Sequence, residues 1–139
     1  MTRYYFDTCI WRDFYEDRFG PKGRPLGKYA TALFMKILKN KDIVLFSEII
    51  IRELKTDYTQ VEINNALKFI FIHGILRKVE VPKESQIEAE KISKKRNLPA
   101  ADVLHAILAR NNKAILVSQD NHFKKLKDIA EVKKPEKII

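Results

Sequence analysis

The chain has 139 residues and carries 27 Lys and Arg against 18 Asp and Glu, a net charge of +9. That length suits a single domain of the usual ~100–200 residues, and a hydrophobic content of 45% excludes a disordered basic tail. No apolar run reaches the ~20 residues of a membrane span, the opening residues lack the apolar stretch of a secretory signal, and the lone Cys9 excludes an internal disulfide or a multi-cysteine zinc site.

Arg3-Tyr4-Tyr5-Phe6 reads as a short strand ending at Asp7. Ile10, Trp11, Phe14, Tyr15 and Phe19 follow at near-helical spacing and predict a helix. Gly20 to Gly27 holds three of the four glycines and two of the five prolines, the composition of a loop. Ala30, Leu33, Phe34, Ile37 and Leu38 mark an amphipathic helix. Ile43-Val44-Leu45-Phe46 is a second strand, and Ser47 is placed to N-cap a helix from Glu48 to Lys55. A further helix is predicted from Thr59 to Ile72, stopped at Gly74. Arg77 to Val81 predicts a third strand ended by Pro82. Lys83 to Arg96 reads as a charged helix, and Pro99 opens another that runs to about Asn111. Ala114 to Val117 is a fourth strand; a helical turn over His122 to Leu126 and a weak strand over Ile129 to Val132 close the chain.

Short apolar strands alternating with helices imply an α/β fold, a three-layer α/β/α arrangement around a central, mainly parallel sheet of four to five strands. In that architecture ligands bind beyond the carboxyl ends of the strands, where the strand order reverses. Four acids fall there. Asp7 follows the first strand, Glu53 lies on the helix after the second, Asp102 is in the first turn of the helix opened by Pro99, and Asp120 lies just past the fourth strand. Taken singly, each has a plain role as a turn residue, a cap, a helix-dipole partner or a solvated acid. Together in one cleft they would repel unless a divalent cation neutralised them. Oxygen donors without a Cys or His cluster point to Mg²⁺ or Mn²⁺. Such an ion serves phosphodiester hydrolysis without a protein nucleophile, and no Ser-His-Asp or Cys-His arrangement stands out.

Four segments carry a family resemblance. Tyr4-Tyr5-Phe6-Asp7-Thr8, Ser47-Glu48-Ile49-Ile50-Ile51-Arg52-Glu53-Leu54, Leu98-Pro99-Ala100-Ala101-Asp102-Val103-Leu104-His105-Ala106 and Val117-Ser118-Gln119-Asp120-Asn121-His122-Phe123 resemble, in order and spacing, the motifs of PIN-domain proteins. This is the metal-dependent ribonuclease family that includes the VapC toxins. The resemblance implies one PIN-like domain over 1–139, with Asp7, Glu53, Asp102 and Asp120 as metal-holding and catalytic acids. It also implies RNA as substrate, a small antitoxin partner and a homodimer. The last motif departs from the pattern: His122 stands where a second acid often precedes Phe.

Thr8 either hydrogen-bonds beside Asp7, as the resemblance implies, or caps the following helix, and Ser118 joins the substrate-binding candidates. His122 is either a phosphate contact or a surface histidine, and His105 reads as structural. Lys22, Arg24 and Lys28 of the Gly20–Gly27 loop form the expected backbone-binding patch. Lys91 to Arg96 and Lys124-Lys125 read as solvated faces. Trp11, Phe14 and Tyr15 read as core or dimer interface. The leading expectation is a cytoplasmic Mg²⁺- or Mn²⁺-dependent endoribonuclease of the toxin type, with no membrane association. The alternatives are a PIN domain serving as an RNA-binding or assembly module, and an RNA-processing nuclease without an antitoxin. A haloacid-dehalogenase-like phosphatase is discarded because Cys9 stands where its second Asp belongs. A dinucleotide site fails for lack of a glycine-rich turn after the first strand.

Overall fold

In the computed structural model, which describes residues 1–139, five strands form one sheet: β1 (Arg3–Phe6), β2 (Ile43–Phe46), β3 (Leu76–Lys78), β4 (Ile115–Val117) and β5 (Val132–Lys133). Their order is β3-β2-β1-β4-β5, and every neighbouring pair is parallel. Six helices connect them: α1 (Thr8–Glu16), α2 (Leu26–Asn40), α3 (Glu48–Leu54), α4 (Gln60–Phe71), α5 (Lys83–Arg96) and α6 (Ala100–Asn111). No helix is long and apolar enough to cross a membrane.

The layers follow from the alternation of side chains along β1. Phe6 points to one face, where it stacks on Phe34 of α2 with centroids 5.1 Å apart and meets Trp11 of α1 edge-on at 5.4 Å. Phe14 extends that layer, 4.3 Å from Phe34 and 5.6 Å from Phe69 of α4. Tyr5 points to the other face, where its ring lies 5.5 Å from His105 of α6. Phe6, Trp11 and Phe34 are fully buried, and burying a Phe side chain contributes ~1.5–3 kcal/mol. At the start of α4, the Thr59 hydroxyl accepts from the Glu62 N–H at 3.2 Å and the Glu62 carboxylate accepts from the Thr59 N–H at 3.0 Å, a closed capping box.

The expected α/β/α sandwich is present, and β1 is central with β2 and β4 on either side. Five local expectations change. The first helix ends at Glu16, because Asp17 is left-handed (φ 50°), so Phe19 lies off it and exposed. Gly27 is not a loop residue but the second residue of α2. The third strand stops at Lys78, since its partner β2 ends at Phe46, leaving only the Val79 N–H bond to the Phe46 carbonyl beyond it. The last strand is Val132–Lys133 rather than Ile129–Val132. Ser47 precedes α3 as expected, but its hydroxyl is spent on Tyr5 at 2.7 Å and does not cap the helix.

Candidate metal centre

The strand order reverses at β1: its successor β2 lies to one side and β4 to the other. The crevice beyond their carboxyl ends is therefore where a ligand fits. Asp7 enters it directly from β1, with its backbone N–H bonded to the Val117 carbonyl of β4 at 3.0 Å. Asp7 is also the N-cap of α1: its Oδ1 accepts from the Thr8 N–H at 2.8 Å. Its Oδ2 accepts from the Ser118 hydroxyl at 2.8 Å and the Cys9 thiol at 3.3 Å. The Ser118 oxygen in turn accepts from the Asp120 N–H at 2.9 Å, so one hydroxyl ties two of the acids together.

Glu53, in the last turn of α3, is fixed by two donors. The Thr8 hydroxyl donates to its Oε1, and His105 Nε2 lies 3.0 Å from the same oxygen. Arg12 of α1 donates to the Glu53 backbone carbonyl at 3.0 Å and pairs with Asp57 at 2.9 Å, closing the end of α3. Across the cleft, Asp102 projects from the first turn of α6, and Asp120 caps the 3₁₀ turn Asn121–Leu126 through the His122 N–H at 2.9 Å. The His122 ring stands between them, its Nδ1 3.5 Å from Asp102 and 3.4 Å from Asp120.

Asp7, Glu53, Asp102 and Asp120 all line this cleft of about 350 Å³, with Thr8, Cys9, Arg12 and Thr56. Two trios bring ligand atoms within 4.8 Å of one another, Asp7–Glu53–His105 and Asp102–Asp120–His122. The electrostatics differ across the cleft. Burial, then the charges of Asp7 and Asp120, push the Asp102 carboxyl up to about 6. Burial also pushes Glu53 up, but the hydrogen bond and charge of His105, with Thr8 and Arg12, outweigh it and hold that carboxyl below its ordinary value. A cleft in which burial and then the charge of its neighbours raise one carboxyl has a negative surplus that a cation relieves.

The PIN-domain family model matches residues 4–129. The chain belongs to the PIN-domain family.

No curated protein sequence matches it. Among solved structures, VapBC2 from Rickettsia felis, bound to a DNA fragment from its promoter, includes a chain of the same fold: TM-score 0.67, 18% identity, covering 96% of this chain and 98% of that one. FitAcB from Neisseria gonorrhoeae includes another, at TM-score 0.60 and 18% identity, covering 95% and 97%.

Of the residues expected in this PIN domain's site, the four acids, Thr8, Ser118 and His122 are brought together around the cleft. Lys22, Arg24 and Lys28 are not among its lining residues. Lys22 is exposed in a 3₁₀ turn, Lys28 is exposed on α2, and the Arg24 guanidinium is bonded to Glu136. His105 and Arg12 are additions. His105 is fully buried, as a structural histidine should be, yet it holds a cleft carboxylate. Its place three residues after Asp102 on one helix face was the available signal. Arg12 carried none, because only folding brings α1 to the end of α3.

Proposed function

We propose that this PIN domain, spanning 1–139, is a divalent-metal-dependent endoribonuclease of the VapC type. The observation that carries the reading is the convergence of Asp7, Glu53, Asp102 and Asp120 on one cleft at the strand-order switch. The donor set fits a hard cation: four carboxylates, with the buried His105 imidazole taken up by its hydrogen bonds to Glu53 and Tyr5 and the His122 imidazole exposed at the outer edge. A bound Mg²⁺ or Mn²⁺ supplies Lewis-acid activation of water and of the scissile phosphate, and charge neutralisation at the leaving oxygen.

The chain's own residues do the rest. Ser118 and the Thr8 N–H donate to Asp7 and would fix its carboxylate as a metal ligand, and Thr8 with His105 orients Glu53. Asp102, whose carboxyl is pushed up to about 6 by burial and then by its acidic neighbours, accepts the proton of the attacking water. His122, exposed beside Asp102 and Asp120, is placed to contact the phosphate. The net charge of +9 favours a polyanionic substrate. The likeness to VapBC2 and FitAcB supports a small antitoxin partner, with a homodimer working in the cytoplasm.

The test is cleavage of a single-stranded RNA with Mn²⁺. Asp7→Asn or Asp102→Asn is expected to slow it ~100-fold or more, about 2.7 kcal/mol of barrier, and excess EDTA to abolish it. Undiminished cleavage by either variant, or in EDTA, overturns the reading. One observation favours a second reading, an RNA-binding module without turnover: His122 occupies the space between Asp102 and Asp120. Calorimetry separates them, since RNA binding without any Mn²⁺ binding supports the module.

A further inference from the structure

Beside the carboxylate cleft a second groove, of about 470 Å³, is lined by five lysines: Lys124, Lys127, Lys133, Lys134 and Lys137. Asp120 belongs to both concavities, and Ser118, bonded to Asp7, also lines the groove, so the two adjoin at the acids themselves. The lysines come from three successive segments, the 3₁₀ turn Asn121–Leu126 and its end, β5, and the last turn Pro135–Lys137. The acids of the same stretch leave most of them unneutralised. Asp128 is held by both guanidinium nitrogens of Arg96, at 2.9 and 2.7 Å. Glu136 is taken by Arg24 and by Gln119 at 2.8 Å. Only Lys133 has an ion-pair partner, Glu131 at 3.2 Å.

Five ammonium groups along one groove repel each other and suit a ligand with repeating negative charge better than a single anion. No aromatic side chain lines the groove, so nothing there stacks on bases. The geometry points to this groove as the track for the sugar–phosphate backbone of single-stranded RNA leaving the carboxylate cleft. In the Gly20–Gly27 loop, by comparison, Arg24 is bonded to Glu136, which leaves Lys22 and Lys28 as its exposed cations. Contacts to phosphate alone position the strand without reading its sequence, so this flank of the substrate is bound with little base preference. The role of the neighbouring cleft rests on the nuclease reading; binding in the groove does not.

The experiment is fluorescence anisotropy of a labelled single-stranded RNA in EDTA, where binding is read without cleavage. Lys127→Glu with Lys137→Glu, both exposed positions, tests the groove. Lys91→Glu with Lys94→Glu on α5 makes the same charge change elsewhere. The groove pair is expected to weaken binding roughly tenfold at low salt and to flatten the log–log salt dependence by ~1.4, about 0.7 per lost phosphate contact. The α5 pair is expected to bind nearly as the parent does. In Mn²⁺ the groove pair raises KM for a long RNA but not for a dinucleotide confined to the cleft. Equal losses from both pairs reduce the effect to net charge and overturn the groove, as does a parent that binds an acidic peptide but not RNA. A parent that binds through the groove but cleaves nothing leaves the groove standing and removes the nuclease reading. A parent that cleaves while the groove pair binds as it does has the opposite meaning.

Discussion

His105 Nε2 lies 3.0 Å from Glu53 Oε1, across 52 positions of sequence. Behind it, His105 Nδ1 is 2.7 Å from the Tyr5 hydroxyl, which is 2.7 Å from the Ser47 hydroxyl. An ionised Glu53 only accepts, so Nε2 carries the proton and Nδ1 accepts from Tyr5 when the imidazole is neutral. Burial pushes the Tyr5 phenol up, so it stays protonated. Donation therefore runs from Ser47 through Tyr5 and His105 to Glu53, which accepts at the cleft end of the chain.

His105→Ala leaves Glu53 with its burial and without the group that most offsets it, so its carboxyl rises. Calorimetric Mn²⁺ titrations are expected to show ~10-fold weaker binding near neutral pH, with the onset displaced to higher pH. His105→Gln keeps a donor and should recover part of the loss. An unchanged onset in His105→Ala would show that Glu53 does not depend on it.

Tyr5→Phe keeps the buried ring but strands His105 Nδ1 and Ser47 Oγ, both inside the fold. Leaving buried polar groups unpaired costs ~1–3 kcal/mol. Urea unfolding should show that loss as a lower midpoint at constant slope.

Asp102 titrates at about 6 in the folded chain against 3.8 as its ordinary value. Its folded value is raised, so its stabilising contribution is full below pH 3.8 and is lost as the pH rises through about 6. Asp13, pushed up to about 6 by burial, acts in the same direction. The metal-free protein should therefore gain thermal stability from these two groups as the pH falls from 7 toward 5. Mn²⁺ has the opposite dependence, since it competes with the Asp102 proton. The Tm increase on adding Mn²⁺ should be larger at pH 7 than at pH 5, and equal increases at both would contradict it.

Gly27 is where α2 passes the end of α1. A Cβ there would lie 2.4 Å from Asp17 Oδ1, 2.5 Å from Asp17 Cα and 2.8 Å from the Asp13 carbonyl. Two of those atoms are backbone and cannot swing away. Gly27→Ala is expected to cost ~3 kcal/mol through overpacking, read as a fall in Tm. Gly23→Ala meets no neighbouring atom and strains only its own positive φ of 72°, so it should cost less.

The alternation of apolar strands and helices was enough to read the layers, because burial on both faces demands continuous apolar strands. Asp7, Asp102 and Asp120 were legible because each sits at a strand end or a helix start, and Glu53, in the last turn of α3, because its helix follows β2 directly; chain order alone defines those places. Chain order is silent on side chains that meet across elements. His105 read as structural and is buried, but only folding showed that its ring meets Glu53, and Arg12 gave no signal before α1 reached the end of α3. Lys124 read as a solvated face; only the return of β5 and the last turn beside it made a groove of five lysines. Local pattern determined which residues are buried and which acids face the switch point, since periodicity and burial are properties of neighbours in sequence. Which donor serves which carboxylate, and which cations align, was decided by tertiary contact, since those distances exist only once the helices close on the sheet.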